Sequence, residues 1–152
     1  MKASDSREGK LMIEIKTLRS GDEHVLSHVA EDVFDDPILE SSAREFLNDP
    51  RHSLVVAIDN DLVVGFVSAV SYIHPDKSAP ELWINEVGVA PTHQGQGIGK
   101  RLMQQILDEA KLSGCKEAWV LTERRNEVAM GLYKSVGGNE GEPDTVMFTF
   151  AL

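Results

Sequence analysis

The stretch Val89-Ala90-Pro91-Thr92-His93-Gln94-Gly95-Gln96-Gly97-Ile98-Gly99-Lys100-Arg101 decides how this 152-residue chain is read. Before it, Glu81 to Val89 (Glu-Leu-Trp-Ile-Asn-Glu-Val-Gly-Val) reads as a strand halted by Pro91. After it, Ile98, Leu102, Met103, Ile106, Leu107 and Ala110 recur on one stripe of a helix that closes near Ser113-Gly114. A glycine-rich turn between strand and helix gathers backbone N–H groups at the positive end of the helix dipole, and that combination binds phosphates. Two familiar phosphate loops fail on spacing. A Walker A loop needs glycine where Gln94 stands and Ser or Thr where Arg101 stands. The dinucleotide fingerprint G-x-G-x-x-G is not met by Gly95-x-Gly97-x-Gly99, which also lies late in the chain.

Working outward, the strand Lys116 to Leu121 follows the long helix. A further helix spans Asn126 to Val136, with Val128, Leu132 and Val136 inward and Gly137-Gly138 as its stop. Thr145 to Ala151 reads as a last strand. Upstream, Leu11 to Ile15 reads as an opening strand after a frayed first ten residues. Asp22 to Phe34 carries a helical stripe of Val25, Leu26, Val29, Ala30, Val33 and Phe34. Pro37 suits the first turn of a second helix running through Phe46-Leu47 and ending before Pro50. Ser53 to Ile58 and Leu62 to Ile73, separated by Asp59-Asn60-Asp61, read as a hairpin. With no internal repeat, linker or low-complexity tract, residues 1–152 are expected to form one α+β domain around a mixed sheet.

Composition bounds the function classes. The chain has 15 Lys+Arg against 25 Asp+Glu, a net charge of -10, and 41% hydrophobic residues, the profile of a globular domain able to bury a core without disulfide or metal. So acidic a balance argues against nucleic-acid or anionic-membrane partners and for a cationic one. Between Gly21 and Pro50 nine acids (Asp22, Glu23, Glu31, Asp32, Asp35, Asp36, Glu40, Glu45 and Asp49) face Arg44 alone, a formal -8. With no signal-peptide pattern and no run of apolar residues long enough to span a bilayer, a cytoplasmic location is the expectation.

Gln94-x-x-Gly97-x-Gly99 is the Q/R-x-x-G-x-G/A loop of the GNAT superfamily of acetyl-coenzyme A-dependent N-acetyltransferases, which this sequence resembles. Val89-Ala90-Pro91 before the loop and Asn126, Ala129, Leu132, Tyr133 and Gly137 after it match the family's V-x-P strand end and its N-x-x-A-x-x-L-Y-x-x-x-G helix. The resemblance runs in element order from Leu11 to the C-terminus. A finer likeness is to the aminoglycoside 3-N-acetyltransferase branch, through Asn85-Glu86-Val87-Gly88-Val89, Ala129-x-x-Leu132-Tyr133 and Val146-Met147-Phe148. The resemblance implies a central, mostly antiparallel sheet with parallel strands 4 and 5 splayed apart, flanked by about four helices.

It also implies acetyl-coenzyme A as co-substrate, no metal, a small cationic amine as acceptor, direct transfer in a ternary complex, and a possible homodimer. The acyl carbonyl would lie against the Val87 N–H, pantetheine beside Val87, Gly88 and Val89, and pyrophosphate on Gln94, Gly95, Gln96, Gly97, Ile98, Gly99 and Lys100. Asn126 would touch the coenzyme and Tyr133 would protonate the leaving thiolate. Glu86, a carboxylate in a strand of Leu, Trp, Ile and Val, is either a general base or amine anchor, or a charge at a bulge or sheet edge. Asp35, Asp36 and Asp144 are further candidates for the acceptor side.

Plainer readings stand beside these. Tyr133 can be a core aromatic, Asn126 simply a helix cap, and Lys100, Arg101, Arg124 and Arg125 solvated charges. His24 and His28 lack the glutamate of H-E-x-x-H, His93 fits loop surface, and Cys115 fits a small buried residue. A protein or small-metabolite acetyltransferase, or a non-catalytic acyl-coenzyme A sensor, remains open beside an aminoglycoside enzyme; a sensor needs neither Glu86 nor Tyr133.

Overall fold

The computed structural model describes residues 13–152, so the expected fraying of the first ten residues and the expected strand start at Leu11 lie outside the described residues. Five strands form one sheet in the order β1 (Glu14–Leu18), β2 (His52–Asp59), β3 (Leu62–Tyr72), β4 (Glu81–Val89), β5 (Glu117–Val120). The first four pair antiparallel and β4 with β5 parallel. The β2–β3 turn has Asn60 at φ 48° and Asp61 at φ 66°, the left-handed pair of a tight hairpin turn, in residue types that tolerate it. The described residues form three α-helices: α1 (Glu40–Asn48), α2 (Ile98–Leu112) and α3 (Glu127–Ser135).

The chain falls into two compact units, one ending at Leu121 and the other Thr122–Leu152. In the first, α2 crosses one face of the sheet, and its Ile98, Leu102 and Ile106 are fully buried along with Val55 and Val67 of the strands. The opposite face carries α1 and the segment between β1 and α1.

Two expected elements are absent. Asp22 to Phe34 is not an α-helix: only a 3₁₀ turn, Glu23–Ser27, forms, and the chain then turns extended at His28. Sheet bonds outcompete helical ones here. Val63 N–H donates to the His28 carbonyl, Ala30 N–H donates to the Val63 carbonyl, and Asp32 sits at φ 59°, outside helical space. The apolar stripe is buried all the same, through Leu26 and Val33. Nor is Thr145 to Ala151 a strand: it joins no ladder among the described residues, and Val146, Met147, Phe148 and Phe150 are exposed. A strand persists only where a neighbour takes its N–H and C=O groups.

In the second unit, Asn126 caps α3 by accepting from the Ala129 N–H at 3.1 Å. Gly137 at φ 93° turns the chain, and Gly137 and Gly138 return N–H groups to the Lys134 and Tyr133 carbonyls. Val128 points outward, 83% exposed, against expectation, so Ala129, Leu132, Tyr133 and Val136 make the half-buried stripe.

Candidate active site

The site begins with a break in strand period. Pairing runs Phe66–Gly88, Val67–Val87 and Ser68–Glu86, then slips so that Ala69 faces Ile84, leaving Asn85 as the extra residue of a β-bulge. An added Cβ at Gly65 would meet Leu102 and Ile98 of α2, whereas one at Gly88 would meet the Val33 carbonyl oxygen at 2.5 Å and Phe66 at 2.8 Å. The two glycines therefore mark opposite faces. Strict alternation would carry Leu82, Ile84 and Glu86 onto the α2 face together. The bulge instead leaves Leu82 and Ile84 buried there and turns Glu86 to the other face, beside Ser68, Phe66 and Leu54. Glu86 is consequently exposed rather than a buried charge, the bulge alternative of the sequence reading.

The same strand leaves main-chain donors free. Ala90 N–H donates to Val64 at 2.8 Å, so alternation turns the Gly88 and Glu86 N–H groups toward β3 and those of Val87 and Val89 away from it. On that away side β5 pairs only from Glu81–Glu117 to Ile84–Val120 and then ends. Val87, Gly88 and Val89 thus border a gap between parallel strands within the first unit.

Beyond Pro91–His93, Gln94 donates its amide to the Val89 carbonyl at 3.0 Å and holds the loop against the strand end. Gly95 and Gly97 lie at φ 76° and 77°, and a Cβ on either would meet no neighbouring atom. Backbone conformation is thus the reason for glycine at both. No side chain caps α2 at Gly97, so the N–H groups of its first turn, from Ile98 to Lys100, remain available to an anion. Lys100 is exposed. Arg101, by contrast, donates to the Ile13 carbonyl at 3.1 Å.

His93 bonds Asp59 at 2.8 Å and Thr92 at 2.8 Å, tying the loop to the hairpin turn. Arg124 and Lys134 pair with Glu140, at 3.2 and 3.3 Å, and Arg125 with Glu123, so both loop arginines have carboxylate partners. His24 and His28 are exposed, and Cys115 is buried.

Two cavities open on the α1 face. The smaller, about 240 Å³, is bounded by Phe34, Phe46, Phe66, Leu39, Ser68 and Glu86, among others. Phe34 and Phe66 stack with ring centres 3.9 Å apart. The larger, about 720 Å³, is lined by Glu23, His24, Glu40 and Arg44 and includes no residue of β4. Asp35 and Asp36 are exposed and line neither. In the second unit Asp144 is exposed, while burial pushes the Tyr133 phenol above its ordinary value. The sequence reading missed Asn85, Ser68 and the phenylalanines. One signal was present: a glutamate in step with Leu82 and Ile84 conflicts with a buried face unless the period shifts.

The first unit thus combines a parallel ladder that stops at Ile84–Val120, an uncapped glycine turn and a carboxylate lifted out of the core. Residues 20–137 match the family described as Acetyltransferase (GNAT) family, and the chain belongs to it. It is 34% identical over 106 residues to the N-alpha-acetyltransferase RimI of Mycobacterium tuberculosis, covering 69% of this chain and 63% of that one. It is 36% identical over 89 residues to the streptothricin acetyltransferase of Streptomyces lavendulae, covering 59% of this chain and 44% of that one. The chain therefore spans less than two thirds of the curated relatives it matches. In fold it resembles an aminoglycoside acetyltransferase from an uncultured soil metagenomic sample, solved with sisomicin, at a TM-score of 0.76 and 21% identity, over 93% of this chain and 97% of that one.

Proposed function

We propose that this chain transfers an acetyl group from acetyl-coenzyme A to a primary amine by direct attack. The β4 bulge carries the reading: it puts a carboxylate and free main-chain N–H groups on consecutive residues, beside a turn with open anion-binding donors. Acetyl-coenzyme A supplies the thioester whose acyl carbon is attacked. Gln94 to Lys100 fit its pyrophosphate by their uncapped N–H groups, and Val87 to Val89 fit the pantetheine along the free strand edge.

Glu86 receives the proton leaving the amine, directly or through water. The Val87 N–H donates to the acyl oxygen as charge develops there. The new N–C bond replaces the C–S bond, and the departing thiolate takes a proton; the family resemblance assigns the Tyr133 hydroxyl as its donor, a phenol that is protonated at neutral pH. A cationic acceptor would be drawn by the acids of residues 21–50. An aminoglycoside and a protein N-terminus are both primary amines of this kind.

Calorimetric titration with acetyl-coenzyme A tests the loop assignment. Wild type should bind, and Gly97→Glu, which sets a negative side chain among the phosphate donors, should lose binding while circular dichroism shows an intact fold. Unaltered affinity in the folded variant would overturn it.

A further inference from the structure

We infer that the small cavity beside Glu86 is an apolar side-chain pocket, and that the acceptor is a singly charged amine whose amine-bearing carbon carries a compact apolar group. The inference rests on the transferase reading above and narrows its acceptor. Three observations carry it.

The first is chemical. Among the described residues, Glu86 is the only ionisable side chain on the cavity wall, and the other polar side chains there are Ser42 and Ser68. One carboxylate satisfies one ammonium. A second ammonium, or a ring of hydroxyls, would be desolvated against Phe34, Phe46 and Phe66 without a partner, which is costly. Of the acids that make residues 21–50 so negative, Asp35 and Asp36 line neither cavity, and Glu23 and Glu40 line the larger one, which adjoins this one along Leu26, Pro37, Ile38 and Ala43.

The second is size. At about 240 Å³ the cavity lies below the roughly 300 Å³ at which pockets for whole drug-sized ligands begin, so it holds a side chain rather than a multi-ring molecule. The third is construction. Gly88, which pairs with Phe66, admits the Val33 carbonyl to a distance no Cβ would allow, and so lets the segment bearing Phe34 close onto the sheet and stack on Phe66. Leu39, 66% exposed at the cavity, leaves apolar surface unpartnered where an apolar substituent would cover it.

The test is thiol release from acetyl-coenzyme A with glycinamide, leucinamide, phenylalaninamide and the aminocyclitol 2-deoxystreptamine. We expect kcat/KM for leucinamide or phenylalaninamide to exceed that for glycinamide by about tenfold or more, as filling an apolar pocket requires, with the aminocyclitol poorest. Ala43→Phe, which adds a ring to the wall of α1 that this cavity shares with the larger one, should collapse the leucinamide-to-glycinamide ratio toward one. Equal rates for glycinamide and leucinamide, or preference for the aminocyclitol, would overturn the pocket assignment and leave the transferase reading standing. Release with none of these amines, nor with any other amine, would overturn the transferase reading itself.

Discussion

Glu86 shows how one side chain acquires a role from its neighbours in the ladder. Its charge is tolerated in a strand of Leu82, Trp83, Ile84 and Val87 because it leaves the α2 face before the buried part of that face continues. On the open face it stands at the one position where a carboxylate, a neighbouring main-chain donor at Val87 and an apolar cavity coincide. Replacing it with Gln keeps shape and removes proton acceptance. Glu86→Gln should therefore lower kcat by about 10²-fold or more, within the range of general base catalysis, with acetyl-coenzyme A affinity and Tm unchanged. Steady-state kinetics and calorimetry on the same preparation check this; a fall in coenzyme affinity with kcat retained would assign Glu86 to binding instead.

Among the elements, β4 is the most informative. A single inserted residue, Asn85, separates its structural half, zipped to β5 as far as Ile84, from its working half, whose outer N–H groups are unpaired by β5. Deleting Asn85 would restore strict alternation, swing Glu86 toward Ile98 and Leu102, and leave an unpaired charge in the core. Such a deletion should lower stability by about 3–5 kcal/mol, the cost of an uncompensated buried charge, and pairing the deletion with Glu86→Leu should recover much of that loss without activity. Urea unfolding of the two variants measures the difference. If the deletion alone left stability intact, the bulge would have no such role. The α2 N-terminus follows a related logic: Gly97 ends the loop at φ 77° with no cap, so stability there is exchanged for open donors.

For the molecule as a whole, acid stability should track a few paired carboxylates. Burial alone would raise Glu109, but bonds from Thr17, Arg19 and Gln105 outweigh it and hold its carboxyl below the ordinary value. Burial likewise opposes, and bonds from His74 and Lys77 overcome, the lowering at Glu81. A carboxyl lowered in the folded state contributes its stability above the unfolded value of roughly 4.3 and loses it as pH falls through the folded one. Tm should thus be nearly flat from neutral pH to about 5 and fall below about 4. Glu109→Gln should start from a lower Tm and show a shallower acid limb; an unchanged limb would remove Glu109 from that account.

Much of this could be read from residues in order. The five strands, the hairpin turn, α1 and α2, the Asn126 cap and the glycine turn all rest on local signals: period, proline, glycine and capping, whose energetics lie within a few residues. Two elements could not. Leu26 to Phe34 has a helical stripe, yet Val63, more than 30 positions away, takes its backbone bonds. Thr145 to Ala151 has strand composition and pairs with no strand among the described residues. The site divides the same way. The glycine turn and Glu86 are sequence features, because spacing alone sets their backbone demands. Which face Glu86 looks to, and that Phe34, Phe46 and Phe66 line a cavity beside it, are decided by sheet register and long-range packing, which no local pattern contains.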